Sequence, residues 1–198
     1  MPSLITRMTA RKTDEAHRAS SPLELLFDLV FVAAIAQVAA QLAHAIAAGH
    51  ALDTLGPYLM VFFAIWWAWM NFTWFASAYD TDDVPYRLLV LVQMAGVLIL
   101  AAGVPSAFSG VAGGYTAATI GYLVMRVGLV ALWVRAGIQH PEGRATALRY
   151  AAGITVVQVF WVRVGLRCDD VCRRLLSHRR RWTELSRAGV LFARWFEM

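Results

Sequence analysis

Charge is scarce in this chain. Asp, Glu, Lys and Arg make up 16% of its 198 residues and hydrophobic residues 59%, a balance that a water-exposed surface of this length could hardly tolerate. The scarcity excludes an ordinary soluble domain. Cysteine is scarcer still. Only Cys168 and Cys172 occur, both in the last stretch of the chain, so neither a disulfide framework nor a thiolate metal site is supported. With His178 they imitate a metal cluster, but three ligands at so loose a spacing arise easily by accident, and no metal is expected. HExxH, GxSxG, a phosphate loop and CxxC are all missing, which leaves no nucleophile, metal or cofactor at the level of pattern. The expectation is therefore a protein that is not an enzyme and carries no cofactor. No internal repeat is visible either, so an inverted-repeat transporter cannot be argued from these residues.

Long apolar runs are what the chain does have. Residues 25–48 read LLFDLVFVAAIAQVAAQLAHAIAA, longer than the roughly 20 apolar residues that span a bilayer core at about 1.5 Å each. Runs of this kind predict five transmembrane helices over 25–48, 57–79, 88–104, 115–135 and 148–164, an all-α polytopic bundle with no soluble domain left over. The first run exceeds a secretory h-region, so it reads as an uncleaved anchor. The organisation expected is a cytoplasmic tail over 1–20, a helical membrane domain over 21–164 and a basic tail over 165–198.

The formal charge of +5 is read as topology and not as affinity for nucleic acid, because basic residues in a membrane protein chiefly mark the cytoplasmic side. Arg7, Arg11, Lys12 and Arg18 precede the first helix, Arg87 follows the second, and Arg135, Arg144 and Arg149 border the fourth and fifth, while the other two connections hold none. This alternation puts the N-terminus on the cytoplasmic side of the membrane. Five spans would then put the C-terminus outside, yet residues 163–198 hold nine arginines, against the same rule.

Polar groups within the apolar runs carry what chemistry there is, since ionisable groups in lipid are costly. Glu24, after Ser20, Ser21 and Pro22, reads as a cap in the first turn. Asp28 lies deeper and calls either for capping or for a buried partner, for which Arg126, in the middle of the fourth span, is the best candidate. Arg126 itself, with Tyr122 one turn before it and Gly121 and Gly128 nearby, serves either a structural ion pair or a solute- or proton-coupled role. On the first helix Ala33, Ala36, Ala40, Ala43 and Ala47 form a narrow face read as a packing seam, Phe27, Phe31, Ile35, Val38 and Leu42 a stripe suited to lipid, and Gln37, Gln41 and His44 a polar face for interhelical hydrogen bonds or a hydrated path. Asp80, Asp82 and Asp83 precede Pro85 and Arg87: an aspartate capping the third helix and an Asp83–Arg87 pair account for them, a cation site is the weaker alternative, and calcium by an EF-hand pattern is excluded. The ring-rich second helix, with Phe62, Phe63, Trp66, Trp67, Trp69, Phe72, Trp74 and Phe75, is read mainly as packing.

At LELLFDLVFVAAIAQVA (23–39), at the stretch from WWAWMNFTWF to GVPSAF (66–108) and at GYLVMRVGL (121–129), the chain resembles the bacterial low temperature requirement protein A family over most of residues 21–160. The resemblance implies a multi-span inner-membrane protein associated by name with growth in the cold, without a settled activity, cofactor or catalytic residue. It also implies a longer protein with more spans. The likeness fades after VVQVFWVRVGL, and the arginine-rich segment beyond it reads as translation in a shifted frame and the chain as truncated. Two functions are expected to compete. One is a carrier or channel in which Asp28, His44 and Arg126 surround a path for a small solute or ion; the other is a non-transporting assembly or lipid-adaptation factor in which those groups only hold the bundle together. The bilayer is the expected partner in both, and the sequence leaves oligomeric state open.

Overall fold

The computed structural model describes residues 5–11, 21–109, 113–160 and 162–163; the side chain of Asp80, and the tail with Cys168, Cys172 and His178, lie outside them. Four long helices carry the fold: α1 (Pro22–Ala47), α2 (Ala51–Ala78), α3 (Val84–Phe108) and α4 (Thr116–Gln139). All four are long and apolar enough to cross a membrane. A shorter helix, α5, covers 144–160. A two-residue ladder, β1 (Thr9–Ala10) against β2 (Tyr79–Asp80), runs antiparallel. The all-α class expected from the apolar runs is the class found.

Local chemistry sets the helix limits. Ser21 caps α1 through a reciprocal box, its Oγ accepting the Glu24 N–H at 3.2 Å while the Glu24 carboxylate accepts the Ser21 N–H at 3.3 Å, and Pro22 occupies the first turn, where a missing N–H costs nothing. Glu24 is thus a cap, as its position suggested. α2 begins six residues before the expected 57, because Pro57 falls in its second turn and removes a single backbone donor, which the adjoining turns tolerate. Gly49, at φ +76°, makes the tight reversal from α1 to α2 in a region that side chains disfavour.

The seam expected on α1 is inverted. The buried residues of α1 are Phe27, Phe31, Ala34 and Val38, whereas Ala33, Ala36, Ala40, Ala43 and Ala47 are exposed. Rings decide this. Phe27 lies 4.7 Å from Phe31 and 3.8 Å from Phe72 of α2 between centroids, and such contacts outweigh the close approach that alanines would permit.

The small-residue seam lies instead between α3 and α4, the most extensive helix pair. Gly96 on α3 faces Gly121 on α4, Gly103 faces Ala117 and Ala118, and Gly128 faces Leu89 and Gln93. A Cβ added at Gly96 would lie 2.6 Å from the Met125 nitrogen and 2.7 Å from the Gly121 oxygen, one at Gly103 2.6 Å from the Ala118 nitrogen, and one at Gly121 2.6 Å from the Gly96 oxygen. Two backbones therefore touch, which earns dispersion and close dipolar contact where lipid supplies no hydrophobic drive. Gly153 on α5 is the opposite case, with nothing within 4 Å of an added Cβ. Gly121→Ala should lower thermal stability in detergent by about 1–3 kcal/mol through overpacking against backbone, while Gly153→Ala should leave it unchanged or raise it by up to about 1 kcal/mol through helix propensity. Thermal unfolding of the two purified variants checks the contrast.

Candidate functional site

Two polar centres stand out, one at an end of the bundle and one inside it. At the end where α2 stops, α3 starts and α4 stops, Asp83 gathers three elements. Its Oδ1 caps α3 by accepting the Tyr86 N–H at 3.0 Å, its Oδ2 accepts the Thr6 N–H at 2.9 Å, and Arg135 of α4 binds both oxygens, at 2.8 Å to Oδ1 and in a short contact to Oδ2. Arg135 also donates to the Thr6 oxygen at 3.1 Å. The carboxylate side chain is fully buried. Residues 5–11 therefore strap this end: Met8, 1% exposed, donates its N–H to Gln139 Oε1 at 3.0 Å, Arg7 Nε donates to the Gln139 oxygen at 2.9 Å, and the Arg11 N–H donates to the Ala78 oxygen at 3.0 Å. The last carbonyl of α4 thereby receives a cation, the group that a helix C-terminus favours.

Asp83 does not pair with Arg87, the partner that helical spacing offered. Arg87 takes Asp82, with two contacts of 2.7 Å on the surface, and Asp83 turns inward because Arg135 and two backbone donors satisfy it there. Sequence reading placed Arg135 only among the topological arginines; no local pattern links residues so far apart in the chain. Burial works against the charge of Asp83, but the Arg135 hydrogen bonds and the Thr6 and Tyr86 N–H groups outweigh it, bringing the carboxyl from its ordinary 3.8 to about 2. Asp82 is lowered too, by its Arg87 hydrogen bonds.

Inside the bundle, the expected Asp28–Arg126 pair is not formed. Asp28 Oδ1 accepts the Trp69 indole N–H at 2.7 Å, so the aspartate fastens α1 to α2. Arg126, 3% exposed, donates to the Tyr122 hydroxyl at 2.6 Å, with its guanidinium carbon 4.8 Å from the Tyr122 ring centroid. Tyr122 and Arg126 thus come together as their spacing implied. Gln37 and His44 are exposed and Gln41 half-buried on the outer side of α1, away from both centres. Of Asp80, the backbone alone is described, paired with Thr9.

Arg126 stands in the wall of a cavity of about 370 Å³ between α2, α4 and α5, together with Trp67, Asn71, Trp74, Arg149 and Tyr150. A second cavity, of about 490 Å³, lies toward the strap and has Ala10 and Tyr79 in its wall; Trp74, Thr146 and Tyr150 belong to both. Trp133, stacked on Tyr150 at 4.6 Å, closes part of the second. Among the described residues, neither wall contains an acidic side chain. The dense rings of α2 are thus divided between packing, as with Phe72 and Phe75, and cavity walls, as with Trp67 and Trp74.

Residues 19–177 match the profile of the bacterial low temperature requirement A protein (LtrA). The chain belongs to that family. The stretch matched holds all the helices described above and ends within 165–198. An uncharacterized protein of Rhizobium meliloti (strain 1021) is 33% identical over 161 residues, which is 81% of this chain and 38% of that relative; the chain thus spans well under half the length of the curated relative. No solved structure matches it. Membership of the LtrA family, with four helices of spanning length, makes this a membrane protein of the low-temperature-requirement class.

Asp83→Asn should cost about 3 kcal/mol, since it leaves the half-buried Arg135 without its counter-charge, while Asp82→Asn should leave the unfolding temperature in detergent unchanged. The pH dependence has a definite sign. Because the carboxyl is depressed in the folded state, its stabilisation is fully present above 3.8 and is lost as pH falls through about 2. Pepsin cleavage within residues 5–11 should therefore rise steeply between about pH 4 and pH 2 in the native chain, and be high across that range in Asp83→Asn.

Proposed function

We propose that the chain is a multi-pass protein of the bacterial cytoplasmic membrane, with its N-terminus and the strapped end on the cytoplasmic side, and that it supports growth at low temperature as a carrier or channel for a small solute or ion. The orientation draws on the arginines. Arg7, Arg87, Arg135 and Arg144 gather at the strapped end, whereas the opposite connections, 48–50 and 113–115, have no arginine or lysine. In this reading the partners are the bilayer and the solute, with no nucleic acid and no catalytic centre.

A single observation carries the carrier-like role. Arg126 lies at the middle of α4, buried, beside a cavity, and with no carboxylate paired to it among the described residues. An arginine at such a depth costs roughly 2.5–3.5 kcal/mol on insertion scales, an expense that structural glue could avoid with a neutral residue. A non-transporting assembly or lipid-adaptation role draws on a different observation: Asp28, the other deep charge, is spent on a hydrogen bond to Trp69.

Complementation of a strain lacking the gene separates the two. Under the carrier reading, Arg126→Gln abolishes growth in the cold at unchanged abundance in the membrane. Proportional loss of growth and abundance, for Arg126→Gln and Asp28→Asn alike, would instead identify these groups as bundle supports.

A further inference from the structure

Arg126 is permanently charged and has five N–H donors in a planar fork. Among the described residues its one polar partner is the Tyr122 hydroxyl, a neutral group that can accept one hydrogen bond and cannot balance the charge. The exposed Arg149 lies in the same wall, adding to the positive field. A buried guanidinium without a counter-ion is costly unless something with negative charge can reach it. The cavity offers the route. It adjoins the second cavity through Trp74, Thr146 and Tyr150, and the second reaches Ala10 of the strap.

Beside Asn71 and Thr146, its neutral polar members, the remaining wall is aromatic and aliphatic: Trp67, Trp74, Tyr150, Ile154 and Val157. Such a lining covers an apolar body and gives little to a hydrated inorganic ion, and a cavity of about 370 Å³ is at the small end of ligand sites. With two arginines and, among the described residues, no acidic one in its wall, the site repels cations.

We propose that this cavity binds an oxyanion carried on a compact apolar body, with Arg126 taking the carboxylate or phosphate oxygens as a fork and the Trp67, Trp74 and Tyr150 rings covering the apolar part. The inference rests on the carrier-like reading and names its solute class. Carboxylate and phosphate present the same paired oxygens to a guanidinium, and the oxyanion can come from a free amphiphilic acid or from a lipid headgroup.

The full chain, purified in a nonionic detergent, reports on the site through Trp67 and Trp74. Octanoate is titrated against octanol and octylammonium while tryptophan fluorescence is followed, with inorganic phosphate and phosphatidylglycerol vesicles as parallel arms. A saturable change with octanoate, absent with octanol and octylammonium, is expected, and Arg126→Gln should weaken it at least about tenfold, the scale of a charge-assisted fork. A saturable change with phosphatidylglycerol and none with octanoate supports the site and identifies the headgroup as the source. Gly153→Leu grows into open space in the cavity wall; it should abolish binding without lowering the unfolding temperature, which keeps the test decisive if Arg126→Gln fails to fold. Equal responses to octanoate and octanol, no saturable response to octanoate or phosphatidylglycerol, or unchanged binding in Gly153→Leu overturns the proposal. Flux in proteoliposomes separates this outcome from the reading beneath it: binding without flux removes the carrier and leaves the site, and flux without anion binding does the reverse.

Discussion

The contact between the backbones of α3 and α4 governs the rest of the bundle. With Gly96 set against Gly121, Gly103 against Ala117 and Ala118, and Gly128 against Leu89 and Gln93, α4 is drawn onto α3 and touches α2 only lightly. A helix held that closely on one side cannot also close on the other. The space left between α4 and α2 is partly filled by α5, and what remains is the cavity beside Arg126. One face of α4 thus makes the tightest packing in the molecule and another borders its open interior. In an apolar surrounding this division follows from what drives association: close approach is rewarded where side chains vanish, and large side chains keep backbones further apart.

The strapped end uses a different kind of force. Asp83 is an N-cap, an ion-pair partner and an acceptor for a segment far away in sequence, so one carboxylate holds the start of α3, the end of α4 and residues 5–11. Each of its oxygens is satisfied by donors, which is the condition for burying charge without loss. Met8 then fills the apolar space beneath the strap. This arrangement keeps the arginine-rich end compact and leaves Ala10 and Tyr79 at the mouth of the second cavity. The two polar centres therefore have opposite characters. One is a closed network in which the Asp83 carboxylate is fully answered, and the other sets Arg126 in the wall of a cavity.

Much of this was legible in the sequence. The apolar runs marked the long helices, Ser21, Pro22 and Glu24 the entrance to α1, and an aspartate of the 80–83 group with Pro85 the entrance to α3, because capping is decided by residues three or four apart. Tyr122 and Arg126 could be paired for the same reason. The failures all involve choices between distant partners. Asp28 had an arginine within reach of speculation and took an indole; Asp83 had Arg87 one turn away and took Arg135; the alanines of α1 had the right period for a seam and stayed outside. Periodicity identifies which residues share a face but not which neighbour the face meets.

By itself, then, the sequence determined the all-helical class, the membrane environment and the positions of the caps, since these follow from hydropathy summed over a window and from hydrogen bonds within one turn. Tertiary structure alone decided which faces are buried, which ion pairs form and where a cavity remains, because those depend on competition among rings, glycines and charges brought together from different helices. Arg126 shows the division. Its rarity within an apolar run was visible in the sequence, but its lack of an acidic partner among the described residues and its place beside a cavity emerge only when α2, α4 and α5 stand side by side.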